Sequence, residues 1–253
     1  MDLGLSERVF VVTAASSGLG RATADQLVAE GARVVLLARR PDVLAAAVEA
    51  LGPKRAVALA ADLSEASAAT AACRLAVETY GRLDGALISV GGPPAGSVAS
   101  TTEDQWRGAF ESVFLAGLRV NAAVVEHGTA ADLAMVWVLS TSVKAPIPGL
   151  AASNGLRPGL AMVIKQLADE LGRNGTRVLG LMPGRIETER VQHLDSLADD
   201  PAAARRAAES AIPLGRYGQP AEFARVATFL LSPAASYLTG SVIAVEGGAL
   251  RSL

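Results

Sequence analysis

The chain has 253 residues, 51% of them apolar, which fits one large domain, residues 1–253, with a substantial core. Its 23 basic and 25 acidic groups nearly balance, so neither a nucleic-acid surface nor an acidic tail is expected. A single cysteine, Cys73, excludes an intramolecular disulfide and a thiolate metal site, and no metal is expected. The opening MDLGLSERVFVV lacks a basic region ahead of a signal-type core, because Glu7 and Arg8 break it. No apolar run approaches the length of a bilayer span, with Arg119 interrupting FLAGLRVNAAVV. These features point to a globular cytoplasmic protein with no membrane partner.

In chain order, short β-branched runs alternate with longer alanine-rich stretches. RVFVVT (8–13), RVVLLA (33–38), AVALA (56–60), GALISV (85–90), MVWVLS (135–140), RVLGLM (177–182) and SVIAVE (241–246) read as strands. They are apolar without alternation, as strands covered on both faces should be. Helical patterns lie between them, near 19–30, 41–51, 65–80, 102–127, 154–173 and 220–231. In the fifth of these, Ser153 or Asn154 reads as the cap and Pro158 as a first-turn residue. The alternation predicts an α/β fold: a Rossmann-type doubly wound parallel sheet of about seven strands with helices on both faces. Residues 185–215, rich in charge and alanine, depart from the rhythm and read as a substrate lid over the carboxyl ends of the strands.

The first strand-to-helix turn, TAASSGLG (13–20), supplies Thr13, Ser16, Ser17, Gly18, Leu19 and Gly20. Gly18 and Gly20 let the backbone approach a pyrophosphate, and the helix N-terminus offers unpaired N–H groups and a positive dipole end. Ala14 occupies the place of the first glycine, so a glycine-bearing turn without a ligand is the alternative. Strand two bears on cofactor choice. An acidic residue about twenty positions past the glycines would hold the ribose hydroxyl of NAD, but LLARR places Ala38 there, followed by Arg39 and Arg40. Either arginine can pair with a 2′-phosphate, favouring NADP(H) over NAD(H). A solvated charge pair at the strand end is the other reading.

Together with later segments, these residues carry a resemblance to the short-chain dehydrogenase/reductase family that runs nearly end to end. AADL (60–63) resembles the family segment whose aspartate, here Asp62 beside Leu63, contacts the adenine. YGRLDGALISVGG (80–92) resembles the passage ending in a glycine beside the cofactor, with Ser89 and Gly91 nearest it. LMPGRIETER (181–190) resembles the turn that holds the nicotinamide amide, with Pro183, Gly184, Ile186 and Thr188 in the usual places. GRYGQPAEFARVATFLLSPAASYLTGSVIAVEGG (215–248) resembles the C-terminal stretch, with Glu246 replacing the more frequent aspartate.

The resemblance implies a catalytic tyrosine, a lysine four residues later, a serine and an asparagine, and here the sequence departs from it. Aligning LAMVIKQLADEL (160–171) puts Ser153 at the tyrosine position and Arg157 at the lysine position, and Val113 falls at the asparagine position. Ser140 matches the serine, with Ser142 a neighbouring candidate. A serine hydroxyl is a far weaker acid than a phenol beside a lysine, whereas Arg157 stays charged and can polarise a carbonyl oxygen or bind ribose. Tyr80, Tyr217 and Tyr237 read as packing residues, His193 as an exposed loop histidine that could otherwise reach a substrate, and His127 as a helix C-terminal residue.

Two functions fit. One is an NADP(H)-dependent oxidoreductase acting on a carbonyl, hydroxyl or imine small molecule, with an altered proton donor and catalytic residues Ser140, Ser153 and Arg157. The other is a catalytically silent NADP-binding sensor or partner subunit. The resemblance also implies a homo-oligomer, a tetramer or at least a dimer, built on the helices near 102–127 and 154–173 and on the C-terminal strand.

Overall fold

The structure, a computed structural model, describes residues 2–252. Seven strands, β1 (Val9–Thr13), β2 (Arg33–Ala38), β3 (Ala56–Ala60), β4 (Gly85–Ile88), β5 (Ala134–Val138), β6 (Arg177–Pro183) and β7 (Val242–Val245), form one sheet. Their order is β3-β2-β1-β4-β5-β6-β7, and every neighbouring pair is parallel. The order reverses between β1 and β4, where crossovers leave in opposite directions and open a crevice at the carboxyl ends of the strands.

The lack of alternation in the strands has a packing cause. Phe10 and Val12 of β1 enter one layer with α1 (Gly18–Ala29), α2 (Pro41–Leu51) and α9 (Pro220–Leu231). Val9 and Val11 enter the opposite layer with α3 (Ala68–Tyr80), α5 (Ala116–His127) and α6 (Ala151–Leu171). Both faces are dry, so both side-chain sets must be apolar. Fully buried residues such as Phe10 and Leu36 each contribute roughly 1.5–3 kcal/mol. Cys73 is one of them; burial pushes its thiol up to about 12, which leaves it an inert packing group.

Several boundaries differ from the expected ones, each for a local reason. Strand β4 ends at Ile88 because the Ser89 N–H donates to Thr13 Oγ1 at 2.8 Å. Helix α3 starts at Ala68, after a turn in which Asp62 accepts from the Ser64 N–H at 2.9 Å. The 102–127 stretch opens with a capping box between Thr102 and Gln105, then runs through α4 (Glu103–Ala109), a π-helical segment (Phe110–Leu115) and α5. The run Glu103–His127 is long and apolar enough to cross a membrane by length and composition, correcting the expectation that no run approaches that length. Arg119 interrupts the apolar run but not the helix, and Ala116, Val120 and Val124 are buried against the sheet as in a core helix.

Helix α6 is a second correction. It begins at Ala151 with Leu150 as its cap residue, so neither Ser153 nor Asn154 caps it, and Pro158 lies in its interior. Residues 185–215 contain α7 (Glu189–Asp195), capped by Thr188, and α8 (Pro201–Ala211), capped by Asp200. Arg205 pairs with Glu187 at 2.6 Å and Tyr217 donates to Asp195 at 3.0 Å, fastening the segment.

Candidate active site

The site begins at the β1–α1 turn. The Thr13 hydroxyl donates to Ser89 O at 2.5 Å and accepts from Ser89 N at 2.8 Å, locking β1 to β4 across the switch point. Thr13 is fully buried, so its side chain fixes the floor rather than touching a ligand, which corrects its assignment as a cofactor contact. Gly18 sits at φ +58, and a Cβ on Gly20 would lie 2.6 Å from Ala14 O. The helix can therefore start this close to the strand only with glycine at 20. Ser17, the N-cap residue, makes no side-chain cap bond, so the amino end of α1 keeps donors for an anion. The turn thus fits the pyrophosphate of a dinucleotide.

Next to it lies a cavity of about 520 Å³ lined by Ser16, Arg39, Arg40, Asp62 and Leu63. Arg40 donates to Ser16 Oγ at 3.2 Å, while Arg39 is 78% exposed and only 3.9 Å from Asp62. The Ser64 backbone N–H and then the Ser64 hydroxyl hold the Asp62 carboxyl below its usual range against desolvation, with a lesser contribution from the Arg39 charge. Arg39 and Arg40 share this cavity with Asp62 and Glu189; among the described residues neither arginine pairs with Glu189, and Arg39 meets Asp62 only at 3.9 Å, so both keep donors that suit a 2′-phosphate.

The main cleft, about 630 Å³, is lined by Gly18, Leu19, Gly20, Ser89, Gly91, Pro183, Gly184, Ile186 and Thr188, and on its other side by Ser140, Ser153 and Arg157. The fold thus assembles residues as far apart in the chain as Gly18 and Thr188. Ser140 caps a 3-10 turn (Thr141–Val143) by accepting from the Ser142 N–H at 3.1 Å. Ser142 is buried behind it, and its Oγ lies 3.1 Å from Ser153 Oγ. The two candidate serines thereby separate: Ser140 faces the cleft and Ser142 holds Ser153. Asn154 accepts from Ile147 N and donates to Ile147 O, both at 2.9 Å, tying the Pro146–Pro148 wall to α6.

Arg157 is buried, and its Nη1 donates to Val138 O at 2.8 Å at the end of β5. Burial first, and then the charge of Arg190, lowers its pKa to about 10, which leaves it cationic at neutral pH. Val113 lies in the π-helical segment within the apolar core and supplies no polar atom. His193 is exposed on α7 rather than on a loop, and His127 closes α5 as read. Tyr80 and Tyr217 pack as expected, beneath Arg33 and Arg205, but Tyr237 is fully exposed in the single chain, contrary to its packing role. Arg190, which no motif singled out, also lines the cleft and donates to Pro93 O at 2.7 Å. The available signal was its place two residues past Thr188, on the segment read as a lid.

Known proteins resemble this chain throughout. The family model described as enoyl-(acyl carrier protein) reductase matches residues 13–249. A 2,5-dichloro-2,5-cyclohexadiene-1,4-diol dehydrogenase of Sphingobium indicum is 30% identical, over 96% of this chain and 97% of its own length. A short chain oxidoreductase of Pseudomonas aeruginosa PAO1 containing an atypical catalytic center, solved in apo and NADPH-bound forms, is 32% identical with a TM-score of 0.90; the apo form matches over 98% of this chain and 99% of its own. The L-sorbose reductase of Gluconobacter frateurii, complexed with NADPH and L-sorbose, is 28% identical with a TM-score of 0.92 and full coverage of both chains. With a seven-stranded parallel sheet, a glycine turn at its switch point and this end-to-end similarity, the chain belongs to the short-chain dehydrogenase/reductase family and is an oxidoreductase of that type.

Proposed function

We propose that the protein is an NADP(H)-dependent oxidoreductase acting on a carbonyl, hydroxyl or imine group of a small molecule through an altered proton-donor site. The observation that carries this reading is Arg157: a buried cation on the cleft wall, with no carboxylate partner among the described residues, anchored to the Val138 carbonyl. A guanidinium has five N–H donors, so most remain for a substrate oxygen. Ser140, on the same wall, is the second orienting group. NADP(H), held by Ser16–Gly20, Arg39, Arg40 and Asp62 at one end and by Pro183–Thr188 at the other, would supply or accept hydride.

Ser153 and Arg157 stand where family reductases carry the acid-base pair. Ser153 Oγ meets Ser142 Oγ, and among the described residues it has no hydrogen bond to a base or to Arg157, whose bond runs to Val138 O, so the proton comes from water, from the substrate or from the 185–215 segment acting as a lid. The relative with an atypical catalytic center, which binds NADPH, supports an enzyme of this kind. The same isolation of Ser153 favours the second reading, a silent NADP-binding sensor or partner subunit. Purified protein mixed with NADPH and a panel of carbonyl and imine compounds, followed by nicotinamide absorbance, decides between them: oxidation supports the enzyme, and cofactor binding without oxidation of any compound supports the silent form.

We propose further that the protein is cytoplasmic and forms a homotetramer, or at least a dimer. Phe110 and Val125, on the run that ends in α5, and Met162 on α6 are exposed, as are Tyr237 and Leu238 ahead of β7. These are the elements expected to pair. Sedimentation showing a stable monomer at micromolar concentration would overturn the assembly.

A further inference from the structure

Three arginines line the main cleft; Arg185 pairs with Asp195, whereas Arg157 and Arg190 form no ion pair among the described residues. Arg157 donates to Val138 O at 2.8 Å on the cleft floor, and Arg190 donates to Pro93 O at 2.7 Å nearer the mouth. Each holds a backbone carbonyl with one nitrogen and keeps further N–H donors. Arg205, outside the cleft, is paired with Glu187. Two of the three cleft arginines are therefore left without an acid.

The cleft makes room for this arrangement. A Cβ on Gly92 would lie 2.7 Å from Arg190 Cζ, so glycine there lets the guanidinium lie against the loop after β4. Burial first, and then the charge of Arg190, lowers the Arg157 pKa, and the two guanidiniums repel each other. Among the described residues Glu189 is the only carboxylate lining the cleft, and it pairs with neither Arg157 nor Arg190. With Arg185 matched by Asp195, the two remaining arginines and Glu189 leave one uncompensated positive charge among the described residues, which matches a monoanion. The apolar Ile147, Leu150 and Leu194 line the same cleft. A fork-shaped donor beside an apolar surface suits a carboxylate on a hydrocarbon body.

Resting on the oxidoreductase reading above, we propose that Arg190 is a specificity-determining residue that, together with Arg157, binds the carboxylate of the substrate, and that the substrate class is an oxo acid with an apolar body. The shared chemistry, an anion between two guanidiniums, could also come from the cofactor's pyrophosphate, and the experiment separates the two sources.

NADP⁺-saturated protein is titrated calorimetrically with 2-oxo-4-phenylbutanoate and with its uncharged counterpart, 4-phenyl-2-butanone. A charge-assisted contact predicts that the oxo acid binds at least about tenfold tighter than the ketone. Arg190→Gln should remove most of that difference while changing the NADP⁺ Kd by less than about twofold, and retained NADP⁺ binding also shows that the variant folds. Equal binding of the two compounds, or no binding of either, overturns the proposal. Loss of NADP⁺ affinity in Arg190→Gln with the oxo acid preference intact also overturns it, by assigning the arginine to the pyrophosphate. Because the readout is binding, oxo acid recognition without NADPH oxidation would refute turnover and leave the anion site standing.

Discussion

The β1–α1–β2 unit and the β5–α6–β6 unit flank the same cleft and share one construction, a parallel strand, a turn and a crossover helix. They use their residues in opposite ways. In the first unit the ligand-facing work falls to backbone: a glycine at φ +58, another pressed against Ala14 O, and a helix start with free donors. In the second it falls to side chains that reach across the fold: Ser153 to Ser142, Asn154 to Ile147 and Arg157 to Val138. Backbone sites are written in local residue types, whereas side-chain sites are written in tertiary contacts. Each unit also holds one residue unsuited to its place, Ala14 at φ +50 in the first and Pro158 inside α6 in the second.

The largest effect that can break this comparison is expected at Arg157. If the second unit carries the chemistry, Arg157→Ala should lower kcat by about 100-fold or more, the scale for removing a preorganised charge donor at a reacting oxygen. NADPH affinity, set by the first unit, should stay within about twofold. Steady-state kinetics on a compound found by the absorbance screen, with a parallel cofactor titration, measures both. Full activity in Arg157→Ala would remove the catalytic assignment.

Pro158 should give the next largest effect, on stability alone. Its ring removes the N–H that would bond the Asn154 carbonyl and crowds the preceding turn, which costs about 3 kcal/mol against alanine in a helix interior. Proline offsets part of this by restricting the unfolded chain, by about 1 kcal/mol. Pro158→Ala should therefore stabilise the protein by about 2 kcal/mol in denaturant unfolding, with Arg157 one position earlier left in place. If turnover also falls, the irregularity at Pro158 is what aims Arg157.

These two units also show how far the sequence could be read. All seven strands and the six main helices were legible from apolar runs and their spacing, because both sheet faces are dry. The residues proposed to hold the cofactor could be picked out in the sequence because the glycines, arginines and aspartate lie in short local motifs; Thr13 is buried beneath the turn. Ser153 and Asn154 were misread as caps because their local signal is that of a helix start, while their actual partners, Ser142 and Ile147, lie seven or more residues back. Arg190 was missed because its partner, Pro93, is 97 positions away. The short helices α7 and α8 were hidden by a charge-rich composition that reads as loop.

A smaller effect tests the first unit. Arg39 is 78% exposed, so solvent screens it, and its contact with a 2′-phosphate falls at the low end of charge-assisted bonds. Arg39→Ala should weaken NADPH by about tenfold, or about 1.4 kcal/mol, and leave NADH nearly unchanged. Equal NADPH and NADH affinities in the parent protein, read by calorimetry, would end the case for NADP(H) preference.

The smallest effect lies at Ala14. A residue with a Cβ in the left-handed region carries a penalty of roughly 1–2 kcal/mol relative to glycine, because the Cβ crowds the following carbonyl. The conformation is imposed by the turn: Ala15 N–H donates to Leu37 O at 3.3 Å, and Ala14 O must lie under α1 at the place where Gly20 has no Cβ. Glycine would remove the crowding but would also free the unfolded chain, at roughly 0.5–1 kcal/mol. The difference leaves Ala14→Gly more stable by about 0.5–1 kcal/mol, which for a chain of this size is a rise of roughly 1–4 °C in Tm. NADPH affinity should hold, since the donors at the amino end of α1 are unchanged. A drop in Tm would mean that the alanine methyl packs usefully in the turn and that the positive φ stores no strain. A gain in Tm with weaker NADPH binding would mean that the strain holds the phosphate cradle open, and that even the backbone-built half of the cleft depends on one side chain.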